Sequence, residues 1–91
     1  MIVQWTYKGL SDLVRLHEFL SPVNPRAAAR VVQTLTSAVG RLETHPRMGQ
    51  CLEQFKPRDV RRLIVGHYEV RYEIQESAVL ILRLWHTREN R

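Results

Sequence analysis

The residues that could carry out acid–base chemistry in this chain are few and far apart. His86 could act as a general acid in cleaving a phosphodiester, with Glu53 as the base and Arg71 stabilising the negative charge of the transition state. The alternative for His86 is structural, because it continues the parity of Leu84 and would close the core at the end of a strand. Sequence alone does not bring the three residues together, so both interpretations stay open.

Arginine dominates the charge of the chain. Fourteen basic residues face nine acidic ones, which gives a net charge of +5, and all the basic residues except Lys8 and Lys56 are arginines. The planar guanidinium group binds carboxylate or phosphate through two hydrogen bonds. The composition therefore favours an anionic partner, either nucleic acid or an acidic protein segment. A basic surface that only keeps the protein in solution is the alternative.

Two arginines lie on the polar sides of neighbouring segments with strand-like alternation. If Leu80, Leu82 and Leu84 face the core, Arg83 faces outward as Arg71 does. With Arg61 or Arg62 they would form an anion-binding patch on an open sheet face. Pairing with glutamates across the strands is the alternative. The candidate partner-binding residues are Arg61, Arg62, Arg71, Arg83 and Arg88.

Other kinds of site lack support in the sequence. The histidines at positions 17, 45, 67 and 86 show no metal-ligand spacing, and Cys51 is the single cysteine, without an identifiable activating neighbour. The chain has no glycine-rich phosphate loop and no nucleophile elbow. We therefore expect no metal and no cofactor. The lone cysteine and the early charged residues also favour a soluble, cytoplasmic protein.

The elements that must position the arginines are three strands near the C-terminus. Strict alternation from Tyr68 to Gln75 predicts a strand with one buried face, and the runs 60–65 and 79–85 are also strand-like. Gly66-His67 and Glu76-Ser77 are short breaks typical of tight turns. These segments predict a three-stranded antiparallel meander.

Two helices are predicted upstream of the meander. Thr6 is a helix cap that precedes an apolar pattern ending before Pro22, and Asn24-Pro25 begins a second helix that ends at His45-Pro46. The short link between them predicts an antiparallel hairpin. Residues 2–5 form a strand that would join the edge of the meander, and residues 47–59 are predicted to be a loop. We therefore predict one α+β domain, residues 1–91, of order β-α-α-β-β-β, with an antiparallel sheet covered on one face by an α-helical hairpin.

Five segments in this order and spacing resemble the ParE branch of the RelE/ParE toxin superfamily. The match runs nearly end to end, from Val3 to Asn90, and the segments read QWTYKGLSDLVRLHEFL, NPRAAARVV, LETHPRMGQ, RRLIVGHYEVRYEI and VLILRLWHTREN. The resemblance implies a toxin–antitoxin system, with roles such as stress response or plasmid maintenance. It also implies a small antitoxin whose C-terminal segment wraps around the toxin, and possible higher-order complexes. Inhibition of DNA gyrase without chemistry of its own is the function expected for the ParE branch.

The ribonuclease branch of the superfamily implies a different function. Arg71 matches the strand arginine of RelE-like and YoeB-like enzymes, His86 lies near the YoeB histidine, and Glu53 roughly matches the YoeB loop glutamate. No tyrosine follows Tyr72, and the lysines of the RelE site are reduced to Lys56. A ribosome-dependent mRNA endoribonuclease is therefore the alternative, and a non-toxic co-repressor acting with the antitoxin is a third hypothesis.

Overall fold

Two helices lie on one face of a five-stranded sheet in the computed structural model, which describes residues 1–88. The last three residues of the predicted domain, including Asn90 at the end of the resembling segments, lie outside the described residues. In chain order the elements are β1 (Ile2–Trp5), α1 (Tyr7–Leu20), α2 (Pro25–Gly40), β2 (Gln50–Cys51), β3 (Asp59–Val65), β4 (Tyr68–Ile74) and β5 (Ala78–His86).

Both helices begin at the predicted caps. The Thr6 hydroxyl accepts a hydrogen bond from the Gly9 amide at 3.0 Å and donates to the Ile81 carbonyl at 2.7 Å, so the cap also ties α1 to β5. A Cβ atom at Gly9 would lie 2.4 Å from the Ile81 carbonyl oxygen. Glycine therefore allows the first turn of α1 to approach β5. Asn24 caps α2 through the Ala27 amide, with Pro25 as the first helical residue.

The sheet order is β1-β5-β4-β3-β2, and β3, β4 and β5 form the predicted antiparallel meander. Strand β1 joins its edge as expected, but it runs parallel to β5, with Ile2 opposite Ala78 and Trp5 opposite Ile81. The sheet is therefore mixed. The segment predicted as a loop contributes β2, a two-residue strand at the other edge, and two turns of 3₁₀ helix at Pro46–Met48 and Glu53–Phe55. Elements this short have too few residues for a helical or strand-like hydrophobic period to be recognised in the sequence.

A β-bulge changes which residues of β5 face the helices. Arg71 pairs with Arg83, whereas the next residue, Tyr72, pairs with Ile81, so Leu82 is the extra residue. The bulge reverses the alternation along β5. Val79, Ile81 and Leu84 are buried, while Leu80 and Leu82 are half-buried. The expectation that Leu80, Leu82 and Leu84 share the core face is therefore wrong for the first two.

The core lies between the helices and the sheet, and Tyr72 is its largest fully buried side chain. The Tyr72 hydroxyl donates to the Pro46 carbonyl at 2.7 Å and accepts from the Gly49 amide at 2.8 Å. Burial raises the pKa of Tyr72 above its ordinary value. These bonds fasten the segment between α2 and β3 to the core.

Within residues 1–88, no helix has the length and apolar character needed to cross a lipid bilayer.

Candidate functional site

Arg71 lies in the middle of the open face of the sheet, the face turned away from the helices. Its guanidinium carbon is 4.8 Å from the ring centroid of Trp85 and 5.6 Å from that of Phe55. Cation–π contacts of this kind fix the plane of the guanidinium group. One terminal nitrogen donates to Glu69 at 3.0 Å, and Nε is buried without a hydrogen-bond partner among the described residues.

Three arginines form a row across this face, which we call the arginine row: Arg62 is opposite Arg71, and Arg71 is opposite Arg83. Like charges directly opposite one another destabilise a sheet unless they have partners. Arg71 pairs with Glu69, Arg83 pairs with Asp12, and Arg62 donates to the neutral Gln50 side chain at 3.1 Å. The predicted patch exists as a row, but internal carboxylates neutralise part of its charge.

Arg61 lies on the other face of β3, in register with the buried Tyr72. It pairs with Asp59 at 2.9 Å and donates to the carbonyls of Gly49 and Arg47. These bonds give Arg61 a structural role, because they hold the segment between α2 and β3 that Tyr72 also binds. A role for Arg61 in binding a partner stays a prediction.

Asp12 of α1 is a site residue that the sequence analysis did not identify. It is 2% exposed and accepts hydrogen bonds from Arg83 at 2.7 and 3.1 Å, and from the Leu84 amide at 3.0 Å. Arg15 adds an ion pair at 3.0 Å. Burial by itself would raise the pKa of Asp12, but the bonds from Arg83 and Leu84 outweigh it and lower the pKa. Asp12 therefore supplies the edge of β5 with the acceptor that a neighbouring strand would provide.

A groove of about 450 Å³ lies beside Asp12, between α1 and the C-terminal half of β5. It forms because β1 pairs with β5 only as far as Ile81, and beyond that point α1 runs along the edge. Phe19 is 77% exposed there. We call this site the α1–β5 groove. Its apolar lining is Leu16, Phe19, Leu20, Tyr68, Leu84 and Trp85, and its polar lining is Asp12, Arg15, His86 and Arg88.

The three candidate catalytic residues occupy different places. His86 pairs with Tyr68 in the register and lies on the helix-facing side, whereas Arg71 pairs with Arg83 on the open face. The His86 ring stacks on His67 at 5.9 Å and meets the edge of Tyr68 at 5.2 Å. Glu53 is exposed and forms an ion pair with Lys56 at 3.0 Å. The register thus places the proposed acid and the proposed charge stabiliser on opposite faces of the sheet.

Metal ligation finds no support in the part of the chain that is described. No group of three or more His, Cys, Asp or Glu side chains converges between residues 1 and 88. Cys51 is a free thiol at intermediate exposure, with its sulfur 4.0 Å from an Asp59 carboxylate oxygen.

Comparisons with known proteins give a family model, a curated relative and a similar solved structure. The family model described as "ParE toxin of type II toxin-antitoxin system, parDE" matches residues 3–91. "Toxin RelE2" of Caulobacter vibrioides (strain ATCC 19089 / CIP 103742 / CB 15) is 30% identical over 84 residues, which are 92% of this chain and 92% of that protein. A solved structure titled "Chromosomal ParDE TA system from P. aeruginosa" is similar with a TM-score of 0.79 and 22% identity, covering 94% of this chain and 95% of that chain.

Proposed function

Because the chain belongs to the ParE family of type II toxin–antitoxin toxins, we propose that it acts by binding DNA gyrase and is neutralised by a cognate antitoxin. Gyrase inhibition would block replication in the cytoplasm, where such a system could serve plasmid maintenance or a stress response. The proposal requires surfaces for binding and no catalytic site.

One observation carries the choice of a binding mechanism: the register of β4 and β5 separates Arg71 from His86. A general acid must reach the leaving oxygen while the charge stabiliser contacts the same phosphate. Side chains that leave the sheet on opposite faces are poorly placed to surround one phosphate in this way. Glu53 is also paired with Lys56 on an exposed turn, so the geometry supports binding better than cleavage.

The α1–β5 groove is the surface we assign to the antitoxin. Its floor is apolar, and Arg15 and Arg88 border it, while its carboxylate, Asp12, is already paired with Arg83 and Arg15. An amphipathic segment can bury apolar side chains in such a groove and place acidic side chains at the basic border. The structural relative titled as a ParDE system supports an antitoxin partner for this fold.

A ribosome-dependent endoribonuclease is the second candidate. The observation in its favour is Arg71 itself, which is held between Phe55 and Trp85 on an open face that carries two more arginines. An arginine with a fixed plane is suited to a phosphate. This candidate needs His86 and Glu53 to act away from Arg71, or needs other groups to replace them.

Gyrase supercoiling in vitro tests the leading proposal. The purified chain, added in increasing amounts to gyrase and relaxed plasmid, should block supercoiling or accumulate cleaved plasmid. Addition of the antitoxin should restore supercoiling. No effect on gyrase at a large molar excess of folded toxin would contradict the proposal.

A further inference from the structure

The outward surface of α2 carries positive charge without any carboxylate. The segment Pro25–Gly40 contains no Asp or Glu, and its two cations, Arg26 and Arg30, are exposed and one turn apart. Arg41 follows the helix on the same side, since it lies about three turns beyond Arg30. We call this surface the α2 stripe, made of Arg26, Arg30, Gln33, Thr34, Ser37 and Arg41, all of them exposed.

The stripe lies opposite the buried side of its helix. Ala28, Leu35, Ala38 and Val39 are buried and face the sheet, and the helical period places the stripe residues on the other side. Exposed Gln33, Thr34 and Ser37 fill the positions between the arginines with neutral hydrogen-bonding groups. The stripe is therefore a continuous polar surface that runs the length of α2.

No ion pair within residues 1–88 neutralises the charge of the stripe. Ion pairs engage Arg15, Arg58, Arg61, Arg71 and Arg83, but none within residues 1–88 engages Arg26, Arg30 or Arg41. Arg26 and Arg30 repel each other at the i, i+4 spacing and lie near the positive end of the helix dipole. The stripe thus has no ion-paired arginine within residues 1–88, whereas two of the three arginines of the arginine row pair with carboxylates.

The composition of the stripe indicates the kind of partner. Protein interfaces are centred on large apolar or aromatic side chains that fill pockets, and the stripe contains none. Contacts to a phosphate backbone come from arginine, serine, threonine and glutamine side chains, which are the residue types present. Exposed Ala29 and Gly40 beside the stripe leave room for a rigid polyanion to lie along the helix.

We propose that the α2 stripe contacts the phosphate backbone of double-stranded DNA independently of base sequence. The contact goes beyond the proposed function, because it needs neither gyrase nor antitoxin. The stripe also lies apart from the α1–β5 groove, whose lining includes no residue of α2. DNA and a segment in the groove can therefore occupy the protein together.

Binding of the purified toxin to a short fluorescent DNA duplex of mixed sequence tests the proposal. Anisotropy measured over a series of salt concentrations gives the slope of log K against log salt, which is about −0.9 for each neutralised phosphate. Three contacting arginines predict a slope of about −3. The double variant Arg26→Gln/Arg30→Gln should reduce its magnitude by about two.

A matched control removes the same charge elsewhere. The double variant Lys8→Gln/Arg47→Gln changes two exposed cations outside the stripe, and it should keep the slope of the unchanged protein. Equal losses in both double variants would overturn the proposal, because they would show an effect of net charge alone. Equal affinity for poly-glutamate and for DNA would overturn it too. Circular dichroism confirms that each variant is folded. Failure of the toxin to bind DNA through the stripe would leave the proposed inhibition of gyrase untouched, because the gyrase assay tests that proposal separately.

Discussion

Asp12 of α1 and Arg83 of β5 are joined by a two-point ion pair, with Nε–Oδ2 at 2.7 Å and Nη2–Oδ1 at 3.1 Å. The same carboxylate accepts a hydrogen bond from the Leu84 amide. One side chain thus fixes the position of α1 against the edge of β5, orients an arginine of the row and forms one end of the α1–β5 groove. Asp12 therefore contributes to both the arginine row and the α1–β5 groove.

Loss of the Asp12 carboxylate should destabilise the fold. Asp12→Ala leaves the buried Leu84 amide without its acceptor, which costs about 1–3 kcal/mol. The loss of the Arg83 pair adds less than a fully buried pair would, because the Arg83 side chain is 35% exposed and water can solvate it. Urea denaturation measures the difference. Glu53→Gln is the control, since it breaks an exposed pair with Lys56 and should leave stability unchanged. Equal stability of Asp12→Ala and the unchanged protein would contradict the role assigned to Asp12.

The pH dependence of stability should also report on Asp12. Its pKa is lower in the folded protein than in the unfolded chain, so its contribution is fully present above the ordinary aspartate value of about 3.9 and is lost as the pH falls below it. Stability should therefore decrease on acidification below about pH 4. Asp12→Asn should show a smaller decrease over the same range in urea titrations. A decrease as large as that of the unchanged protein would assign the effect to other carboxylates.

Removal of the Tyr72 hydroxyl should loosen the segment between α2 and β3. Tyr72→Phe leaves the buried Gly49 amide without an acceptor, and an unsatisfied buried donor costs about 1–3 kcal/mol. Thermal unfolding measures the loss. Tyr7→Phe, at a position 87% exposed, should have no effect. Gly49→Ala should also destabilise, because its Cβ would lie 2.6 Å from the Arg62 carbonyl oxygen and 2.7 Å from the Tyr72 hydroxyl.

Phe19 should be important for antitoxin binding and unimportant for folding. Its ring is exposed in the free protein and lines the α1–β5 groove. Truncating a central aromatic anchor of an interface costs about 2 kcal/mol or more, which is about a thirtyfold loss of affinity. Calorimetric titration of Phe19→Ala with the cognate antitoxin measures it. Tyr7→Ala changes an exposed aromatic residue of the same helix outside the groove, and an equal loss in both variants would argue against the groove.

Removal of the stripe arginines should not harm the fold. Arg26→Gln/Arg30→Gln relieves repulsion between the two cations and with the helix dipole, each worth a few tenths of a kcal/mol. Glutamine and arginine have similar helix propensities. Scanning calorimetry should therefore show equal or slightly higher stability. A clear loss of stability would reveal an internal role for these arginines.

The sequence predicted the elements better than it predicted their relations. Thr6, Asn24 and the alternation from Tyr68 to Gln75 are local signals, and the helices and the central strand follow them. The bulge at Leu82 reversed the expected orientation of the leucines in β5, because pairing with β4 decides which residue is extra. The parallel orientation of β1 is likewise a tertiary property that four residues cannot encode.

The candidate site shows the same limit. Arg71 and Arg83 were predicted to share a face of the sheet. The register confirms this, because the two residues are directly paired across neighbouring strands. Their partners could not be predicted: Asp12 lies 71 residues from Arg83 in sequence, and its helical position was consistent with exposure. Periodicity identifies the side of an element, whereas a buried ion pair depends on which elements meet.

Gyrase and ribosome assays performed side by side on one preparation of the toxin distinguish gyrase binding from mRNA cleavage. We expect inhibited supercoiling or trapped cleaved plasmid, together with no cuts in translated mRNA by primer extension. Cuts in mRNA that disappear in His86→Ala, with gyrase unaffected at a large excess of toxin, would contradict the proposed binding of gyrase.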